Sequence, residues 1–258
     1  MTAQIQDMGD RLVVWNGNTA KRGALTPALY QCISDAMQQA QDPRIRAVIL
    51  TSEGGFFCAG GDLNVLIQRR ESSEAERREQ IDDLHDLVRA MRNCPVPVIA
   101  AVEGGAAGAG LSLALACDLI VASEEAKFTA AYVKAGLVPD AGLTSSLSRL
   151  LPRPLAMEMC LLGRPVMAIR FAEIGAVNRL CPVGKAFETA MRYADSIAAG
   201  PRAAQGVIRK LVSDAYESTE ADQLDAERDA MAHAGGGDEA GEGIAAFLEK
   251  RKPEFGAK

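Results

Sequence analysis

The amino-acid sequence predicts an α/β protein that ends in an α-helical region, and two observations carry that prediction. Apolar runs typical of buried strands alternate with capped or amphipathic helices through most of the chain. After Gly200 and Pro201 the pattern becomes helical only. We therefore predict a core over residues 1–197 and a helical region over residues 198–258.

The core begins with strands and helices in alternation. Thr26 followed by Pro27 is typical of a helix start, because Thr caps free N–H groups and Pro suits the first helical position. Ser73 and Glu76 have the spacing of a capping box, which predicts another helix. The predicted strands span residues 10–16, 45–51, 96–102 and 118–123, and the predicted helices span residues 27–41, 74–92 and 109–116.

Helices dominate the second half of the chain. A loop over residues 136–144 leads into the first of them, and residues 176–180 form a short strand. Three glycines at 235–237 separate the last two helices. The predicted helices span residues 154–161, 168–175, 185–198, 202–213, 217–233 and 239–250.

Composition excludes several classes of protein. The chain has 258 residues and a formal charge of −6, without the basic face that a nucleic-acid partner requires. Its apolar stretches are too short to span a bilayer, so we expect no membrane partner. Six scattered cysteines without a C-x-x-C pair indicate reduced thiols in a cytoplasmic protein. Its two histidines lie far apart and show no metal-ligand spacing, so we expect no metal.

Two turns of small residues are the most informative feature. The first spans residues 57–62 and the second spans residues 104–110, and each follows an apolar strand. Small residues allow the backbone to approach a ligand closely. The second turn opens into a helix, whose first N–H groups are unpaired. Two such backbone donors can hold one developing oxyanion.

Three other glycine-containing motifs are absent from the sequence. The second turn lacks the G-x-G-x-x-G spacing of a dinucleotide-binding loop. No G-x-x-x-x-G-K-[ST] loop for nucleoside triphosphates occurs, and no G-x-S-x-G elbow of a serine hydrolase occurs. The sequence therefore favours neither nucleotide binding nor serine-based hydrolysis.

Several segments in this order closely resemble the crotonase family, the enoyl-CoA hydratase/isomerase superfamily. The similarity covers about residues 10–252, and it implies a spiral of ββα units followed by a helical trimerisation region. It also implies an acyl-CoA partner, with coenzyme A as part of the substrate and no separate cofactor, and a homotrimer or a dimer of trimers. The segments that carry it span residues 57–63, 97–104, 114–118, 126–128, 136–139 and 243–251.

The resemblance also assigns individual residues. It implies that the backbone N–H groups of Gly61 and Ala109 hold the thioester oxygen; Ala109 stands where the family has Gly, which leaves the N–H in place. A solvated turn is the alternative for Lys21 and Arg22. The implied acyl-CoA contacts are Lys21, Arg22, Ala24, Ala59, Gly60, Asp62, Leu63 and Gly108, with Phe247 and Lys250 reaching the CoA of a neighbouring subunit.

The sequence departs from the hydratase pattern at the two positions where such enzymes carry glutamates. Ser112 and Tyr132 stand there, and neither supplies a carboxylate to activate water. They would instead orient the substrate or line its pocket. Asp140 is the acidic candidate that is left, at a position where some isomerases of the family carry their acid or base. One carboxylate beside an oxyanion hole suffices for a 1,3-proton shift, so the sequence predicts an enoyl-CoA isomerase.

The sequence is also compatible with other roles for Asp140 and His85 and with other reactions. Asp140 lies in a Pro-Asp-Ala-Gly sequence, which is also a common turn composition. His85 and Asp140 match the base and nucleophile of the 4-chlorobenzoyl-CoA dehalogenase branch, although a histidine in this mixed-charge helix is otherwise expected to be exposed. A hydratase or hydrolase acting on a cyclic or aryl-CoA, and a non-catalytic acyl-CoA-binding protein, are the other readings.

Overall fold

The computed structural model describes residues 3–256, which contain nine strands and eleven α-helices. The strands are β1 (Ala3–Asp7), β2 (Arg11–Asn16), β3 (Ala47–Ser52), β4 (Val98–Val102), β5 (Gly105–Ala107), β6 (Leu119–Ser123), β7 (Lys127–Thr129), β8 (Val166–Met167) and β9 (Arg179–Cys181). The helices are α1 (Pro27–Gln39), α2 (Leu63–Arg69), α3 (Glu74–Arg92), α4 (Ala109–Ala116), α5 (Leu143–Leu150), α6 (Arg153–Leu162), α7 (Ala168–Ile174), α8 (Ala186–Ala198), α9 (Arg202–Asp214), α10 (Glu220–Gly235) and α11 (Asp238–Glu249).

Six strands form the main sheet, in the order β1-β2-β3-β4-β6-β9. All neighbours run parallel except β1, which pairs antiparallel with β2 at the edge. Val13, Ile49 and Ile99 lie side by side across β2, β3 and β4. They pack with Ala186, Ala190 and Ala194 of α8 in one apolar cluster.

The opposite face of the same strands belongs to a larger core. Leu12, Val48 and Val98 alternate with the α8-facing residues and join the cluster that includes Ile33 of α1 and Leu87 of α3. Because helices cover both faces, the central residues of these strands are apolar on both sides. The sheet therefore provides a rigid base for the two turns that follow β3 and β4.

A second, small sheet carries the turns. Its three strands lie in the order β5-β7-β8, and β5 follows β4 after only two residues. A parallel bridge joins Cys58 of the first turn to Ala106 of β5. The two turns are thus held next to each other by backbone pairing.

The α/β core and helical tail predicted from the sequence are confirmed, but five elements were missed and one helix begins later than predicted. The edge strand β1 is mostly polar, and β5, β7 and β8 are too short to show a period. Helix α2 carries Leu63, Val65 and Ile67 on exposed positions, so it lacks the core-facing stripe by which a helix is recognised. Helix α10 begins at Glu220 because Thr219 caps it, three residues later than predicted.

The tail of α9, α10 and α11 is tied to the core by arginines. Arg209 donates to the Asp118 carboxylate at 2.6 Å and to the carbonyls of Met91 and Cys94 at 2.5 and 2.6 Å. Arg202 donates to the Ile45 carbonyl at 2.7 Å. The division into a core over residues 1–197 and a helical region over residues 198–258 stays a prediction; its boundary falls at the end of α8.

Three observations concern the residue types singled out in the sequence. All six cysteines have free thiols, and Cys58, Cys94 and Cys181 are buried. Within residues 3–256 no three His, Cys, Asp or Glu side chains gather closely enough to hold a metal ion. No helix in that range has both the length and the apolarity needed to cross a lipid bilayer.

Candidate active site

The first turn is held by backbone hydrogen bonds on both sides. The Ala107 N–H donates to the Cys58 carbonyl at 2.9 Å, which ties the turn to β5. The Ala59 N–H donates to the Arg22 carbonyl at 3.0 Å, and the Leu25 N–H donates to the Gly60 carbonyl at 2.8 Å. The turn therefore lies between β5 and the segment that precedes α1.

Glycine is required where the two turns meet. Gly60 has φ +89°, and a Cβ there would lie 2.7 Å from the Ala107 oxygen and 3.0 Å from the Ala109 nitrogen. A Cβ on Gly110 would lie 2.3 Å from the Cys58 oxygen. Neither backbone leaves room for a side chain, so these glycines permit the close approach that the sequence predicted.

Gly61 and Ala109 both line one cavity of about 350 Å³. Ala109 is the first residue of α4, after Gly108 at φ +53°, whose own N–H donates to the Thr129 carbonyl at 2.9 Å. In the part of the chain that the structure describes, neither the Gly61 nor the Ala109 N–H donates to a protein acceptor. Both donors are therefore available to a ligand in the cavity, and the helix N-terminus adds its partial positive charge.

Asp140 is the only acidic side chain among the described residues that line this cavity. Its Oδ1 accepts a hydrogen bond from the Tyr132 hydroxyl at 2.6 Å. The Ser112 hydroxyl lies 3.2 Å from the Tyr132 hydroxyl and 3.2 Å from the Asp140 carbonyl oxygen. Tyr132 thus binds the carboxylate, whereas Ser112 is buried, does not line the cavity and binds the backbone of Asp140.

Tyr132 is held in its protonated form. Burial raises its pKa far above the ordinary value, and the nearby Asp140 charge raises it further. A phenol that keeps its proton can only donate to a carboxylate, so the Tyr132 hydroxyl fixes Oδ1 of Asp140. Within residues 3–256 no hydrogen bond occupies the other carboxylate oxygen, Oδ2.

Asp140 begins a tight turn into α5. Ala141 and Gly142 both have left-handed backbone, with φ +50° and φ +74°, and the Leu143 N–H donates to the Asp140 carbonyl at 3.0 Å. The Nε2 of His85 accepts the Ala141 N–H at 3.2 Å. His85 is half-buried at 33% side-chain exposure, so the interpretation of this histidine as simply exposed is wrong.

The residues to which the resemblance assigns acyl-CoA contacts fall into two groups. Those that line the cavity with Gly61 and Ala109 are Ala59, Leu63 and Gly108. Lys21, Arg22, Ala24, Gly60 and Asp62 are not among its lining residues, and Arg22 lines a separate pocket with Phe56. Lys21 forms an ion pair with Asp62, and the Arg22 guanidinium stacks over the Phe56 ring at 4.0 Å.

Phe247 and Lys250 lie at the end of α11 and do not line the cavity of their own chain. The Phe247 side chain is 84% exposed. Their assignment to a neighbouring subunit's CoA stays a prediction.

Part of the cavity wall was not foreseen from the sequence. Tyr30 of α1, Arg69 of α2 and Leu84 of α3 line it, and no local motif marks any of them. Burial raises the pKa of Tyr30 to about 12, and the Arg69 charge acts in the opposite direction. The sequence signal that was available is the helical spacing of Leu84, Leu87 and Val88, which identifies the inner face of α3.

Two backbone N–H groups without a protein acceptor and one carboxylate thus belong to one cavity, on an α/β core with a helical tail. The chain belongs to the enoyl-CoA hydratase/isomerase family, because the model of that family matches residues 18–258. The resemblance to the crotonase superfamily is thereby confirmed.

Individual relatives agree with this assignment. The chain is 37% identical over 231 residues to 1,2-epoxyphenylacetyl-CoA isomerase of Escherichia coli, covering 89% of this chain and 87% of that protein. It is 33% identical over 256 residues to enoyl-CoA hydratase EchA19 of Mycobacterium tuberculosis, covering 98% and 96%.

Solved structures confirm the crotonase fold. An enoyl-CoA hydratase from Polaromonas sp. JS666 superposes with a TM-score of 0.94 at 40% identity, covering 97% of this chain and 98% of that one. An enoyl-CoA hydratase from Bacillus anthracis superposes with a TM-score of 0.90 at 28% identity, covering 99% and 100%.

Proposed function

We propose that this protein is an isomerase that moves a double bond within an enoyl-CoA thioester, with Asp140 as its single acid/base. The observation that supports this proposal is the composition of the cavity. The cavity holds the two free amides of Gly61 and Ala109, and Asp140 is the only acidic side chain among its described lining residues.

The reaction follows from this composition. The thioester carbonyl oxygen accepts hydrogen bonds from the Gly61 and Ala109 amides. Asp140 removes a proton from the α-carbon of a 3-enoyl-CoA, and the electron pair of that C–H bond passes into the carbonyl as an enolate. The fixed amides stabilise the developing oxygen charge without the reorganisation that water would need. Asp140 then returns the proton to the γ-carbon, which leaves the 2-enoyl isomer.

Tyr132 assists by occupying one oxygen of the carboxylate. With Oδ1 bound to the phenol at 2.6 Å, the proton is carried on Oδ2. The reaction transfers only a proton between two carbons of one molecule. It therefore needs neither a metal nor a redox cofactor, and coenzyme A takes part only as a portion of the substrate.

The same composition disfavours hydration by two glutamates. Such a mechanism uses two carboxylates to hold and deprotonate a water molecule. Ser112 and Tyr132 are hydroxyl groups that hydrogen-bond near Asp140, and burial keeps the Tyr132 hydroxyl protonated. One relative that is named a hydratase is 33% identical to this chain. That name does not decide the reaction, so we argue the reaction from the residues of this chain's own site.

An aryl-derived acyl-CoA is the second candidate substrate. The relative named 1,2-epoxyphenylacetyl-CoA isomerase is 37% identical to this chain. Two tyrosines, Tyr30 and Tyr132, line the cavity and provide aromatic surfaces for a ring. The same amides and the same carboxylate would serve this isomerisation.

A substrate screen tests the proposal. The purified protein is given 3-enoyl-CoA, 2-enoyl-CoA, 1,2-epoxyphenylacetyl-CoA and a halogenated benzoyl-CoA, and products are identified by mass and chromatography. Isomerised product supports the proposal, and the better of the two isomerase substrates identifies the acyl class. Hydroxyacyl product from 2-enoyl-CoA alone, halide release, or tight binding without turnover would each contradict it.

We further propose that the chain acts as a homotrimer or a dimer of trimers in the cytoplasm. The tail exposes large apolar side chains that a monomer would leave in contact with water. Among them are Met231 at 72%, Phe247 at 84% and Leu248 at 75% exposure. Association of these helices would bury them and bring Phe247 and Lys250 towards the CoA of a neighbouring subunit.

A further inference from the structure

We propose that His85 is a positioning residue, which fixes the Asp140 carboxylate in the cavity by accepting the N–H of Ala141. The inference rests on the proposed role of Asp140. It assigns to His85 a task different from that of a general base.

The Asp140 turn is a conformation that must be held by its surroundings. Ala141 carries a Cβ and yet has φ +50°, a left-handed backbone that is unfavourable for any residue other than glycine. Gly142 follows at φ +74°. Two successive left-handed residues reverse the chain sharply, so a small relaxation of this turn would move the Asp140 side chain.

Three contacts from three different elements restrain the turn. The Tyr132 hydroxyl binds Oδ1 of Asp140 at 2.6 Å, and the Ser112 hydroxyl lies 3.2 Å from its carbonyl oxygen. His85, on α3, binds the next amide through Nε2 at 3.2 Å. Of these three contacts, that of His85 is the one made to the backbone on the side of Asp140 that leads into α5, where the Leu143 N–H also closes the turn onto the Asp140 carbonyl.

The Ala141 N–H takes its acceptor from His85 in a site that is shielded from solvent, since Ala141 is only 2% exposed. A buried amide without an acceptor is costly, and the turn would relax to find another partner. His85 thus stabilises the one backbone geometry that presents Asp140 to the cavity.

The same contact argues against a role as base. An imidazole accepts at Nε2 only when that nitrogen carries no proton, and its proton then lies on Nδ1. The Nδ1 atom lies 3.8 Å from Oδ1 of Asp82. Because the Ala141 amide occupies Nε2, this nitrogen is not available to remove a proton from water, as the dehalogenase-like reading requires.

Three substitutions separate positioning from proton transfer. His85→Gln places an amide oxygen near the position of Nε2 and cannot act as a base. In His85→Asn the side chain is shorter, and its amide oxygen reaches only about as far as the Nδ1 atom of the original histidine. His85→Leu keeps a side chain of similar bulk without an acceptor. All three are compared with wild type by thermal midpoint, and kcat and KM are measured separately on the substrate that the screen identifies.

We expect His85→Gln to keep kcat within about threefold, whereas His85→Leu and His85→Asn lose about 10- to 100-fold, since small displacements of a catalytic group have effects of this size. KM changes by less than about twofold in all three, since the CoA contacts are untouched. A simple packing role would not rank Gln above both Leu and Asn in kcat.

Three results would overturn the inference. A fall in kcat in His85→Gln as large as that in His85→Leu would indicate that His85 transfers a proton. Full kcat in His85→Leu would show that the contact is dispensable, and a change in KM alone would indicate substrate binding. Should Asp140→Asn turn over normally, the proposed function itself fails, and that result is independent of the ranking among the three His85 variants.

Discussion

The Tyr132 hydroxyl donates a 2.6 Å hydrogen bond to Oδ1 of Asp140. Tyr132 and Asp140 lie eight positions apart on either side of the loop that leads into α5. This bond joins a residue that replaces a hydratase glutamate to the one acidic side chain that lines the cavity in the described chain. Tyr132 therefore both lines the cavity and fixes the position of the Asp140 carboxylate.

Removing the phenol oxygen should slow the reaction while leaving the fold intact. Tyr132→Phe deletes the donor to Oδ1, and hydrogen bonds to charged groups are worth about 1.5–3 kcal/mol. We expect kcat to fall about 10- to 100-fold with a smaller change in KM, measured by steady-state kinetics. Ser112→Ala is the matched control, because it removes a hydroxyl from the same cluster without removing a bond to Oδ1; its kcat should stay within about fivefold. Equal losses in the two variants would contradict this account.

The contact between the two turns should depend on Gly60. A Cβ at this position would lie 2.7 Å from the Ala107 oxygen and would push the turns apart. Gly60→Ala is therefore expected to lower kcat/KM by about 100-fold, the size of effect found when an oxyanion donor is lost.

Gly9→Ala is the control for backbone strain alone. Gly9 has φ +93°, close to the φ +89° of Gly60, but no atom lies within 4 Å of its Cβ position. Gly9→Ala should lower the free energy of unfolding by about 1 kcal/mol and leave kcat/KM unchanged. If Gly60→Ala were as active as Gly9→Ala, the close approach of the turns would have no part in catalysis.

The ion pair between Arg209 and Asp118 should stabilise the junction of core and tail in a pH-dependent way. The Arg209 side chain is 7% exposed and the Asp118 side chain 26%. Burial raises the pKa of Asp118, and Arg209 opposes that rise. Arg209→Met leaves the carboxylate without its cation, so we expect a loss of about 2 kcal/mol in the free energy of unfolding at pH 7.

The sign of the pH dependence follows from the direction of the shift. The pKa of Asp118 is higher in the folded state than in the unfolded state, so the folded state binds the proton more tightly. The free energy of unfolding therefore rises as the pH falls through the folded-state pKa of Asp118. The deficit of Arg209→Met should therefore shrink between pH 7 and pH 5, as measured by urea unfolding. Lys210→Met removes the adjacent exposed ion pair with Asp214 and should cost less than about 0.5 kcal/mol at either pH. A deficit that grows on acidification would contradict this prediction.

The tail should determine both assembly and CoA affinity. Light scattering of the wild-type protein should give three or six times the chain mass of 27.3 kDa. Phe247→Ala should raise KM for the acyl-CoA about 5-fold or more with kcat nearly unchanged, because uniform binding to a remote part of the substrate is lost. Leu224→Ala, at 60% exposure on the neighbouring helix α10, is the control and should leave KM unchanged. A monomeric wild-type protein with normal KM would refute this role of the tail.

The sequence predicted the backbone part of the site better than the side-chain part. The two small-residue turns could be recognised because only small residues permit close approach, and that requirement is visible locally at Gly60 and Gly110. Asp140 could be proposed because Ser112 and Tyr132 left no other acidic candidate.

The contacts around Asp140 could not be predicted in the same way. The pairing of Tyr132 with Asp140 depends on how the loop between them folds back, with left-handed backbone at Gly136. The role of His85 depends on how α3 packs against a turn that lies 56 positions further along the chain. Neither relationship leaves a period or a motif in the sequence.

The secondary structure, too, could be predicted only where burial leaves a pattern in the sequence. Strands β2, β3, β4 and β6 were predictable because helices bury both of their faces. Helix α2 was missed because Leu63, Val65 and Ile67 are exposed, and because Leu63 and Leu66 form part of the cavity wall. A helix whose apolar side serves a ligand does not show the pattern of a helix that serves the core.

The most direct test of the account is the turnover of Asp140→Asn on the substrate that wild type isomerises, followed together with the exchange of deuterium out of the α-carbon of a substrate labelled at that position. Asparagine keeps the shape of the side chain but cannot carry the proton. The account predicts that both the turnover rate and the deuterium exchange fall by at least about 100-fold, with unchanged binding of an acyl-CoA by calorimetry. Turnover and exchange near the wild-type rates would contradict it.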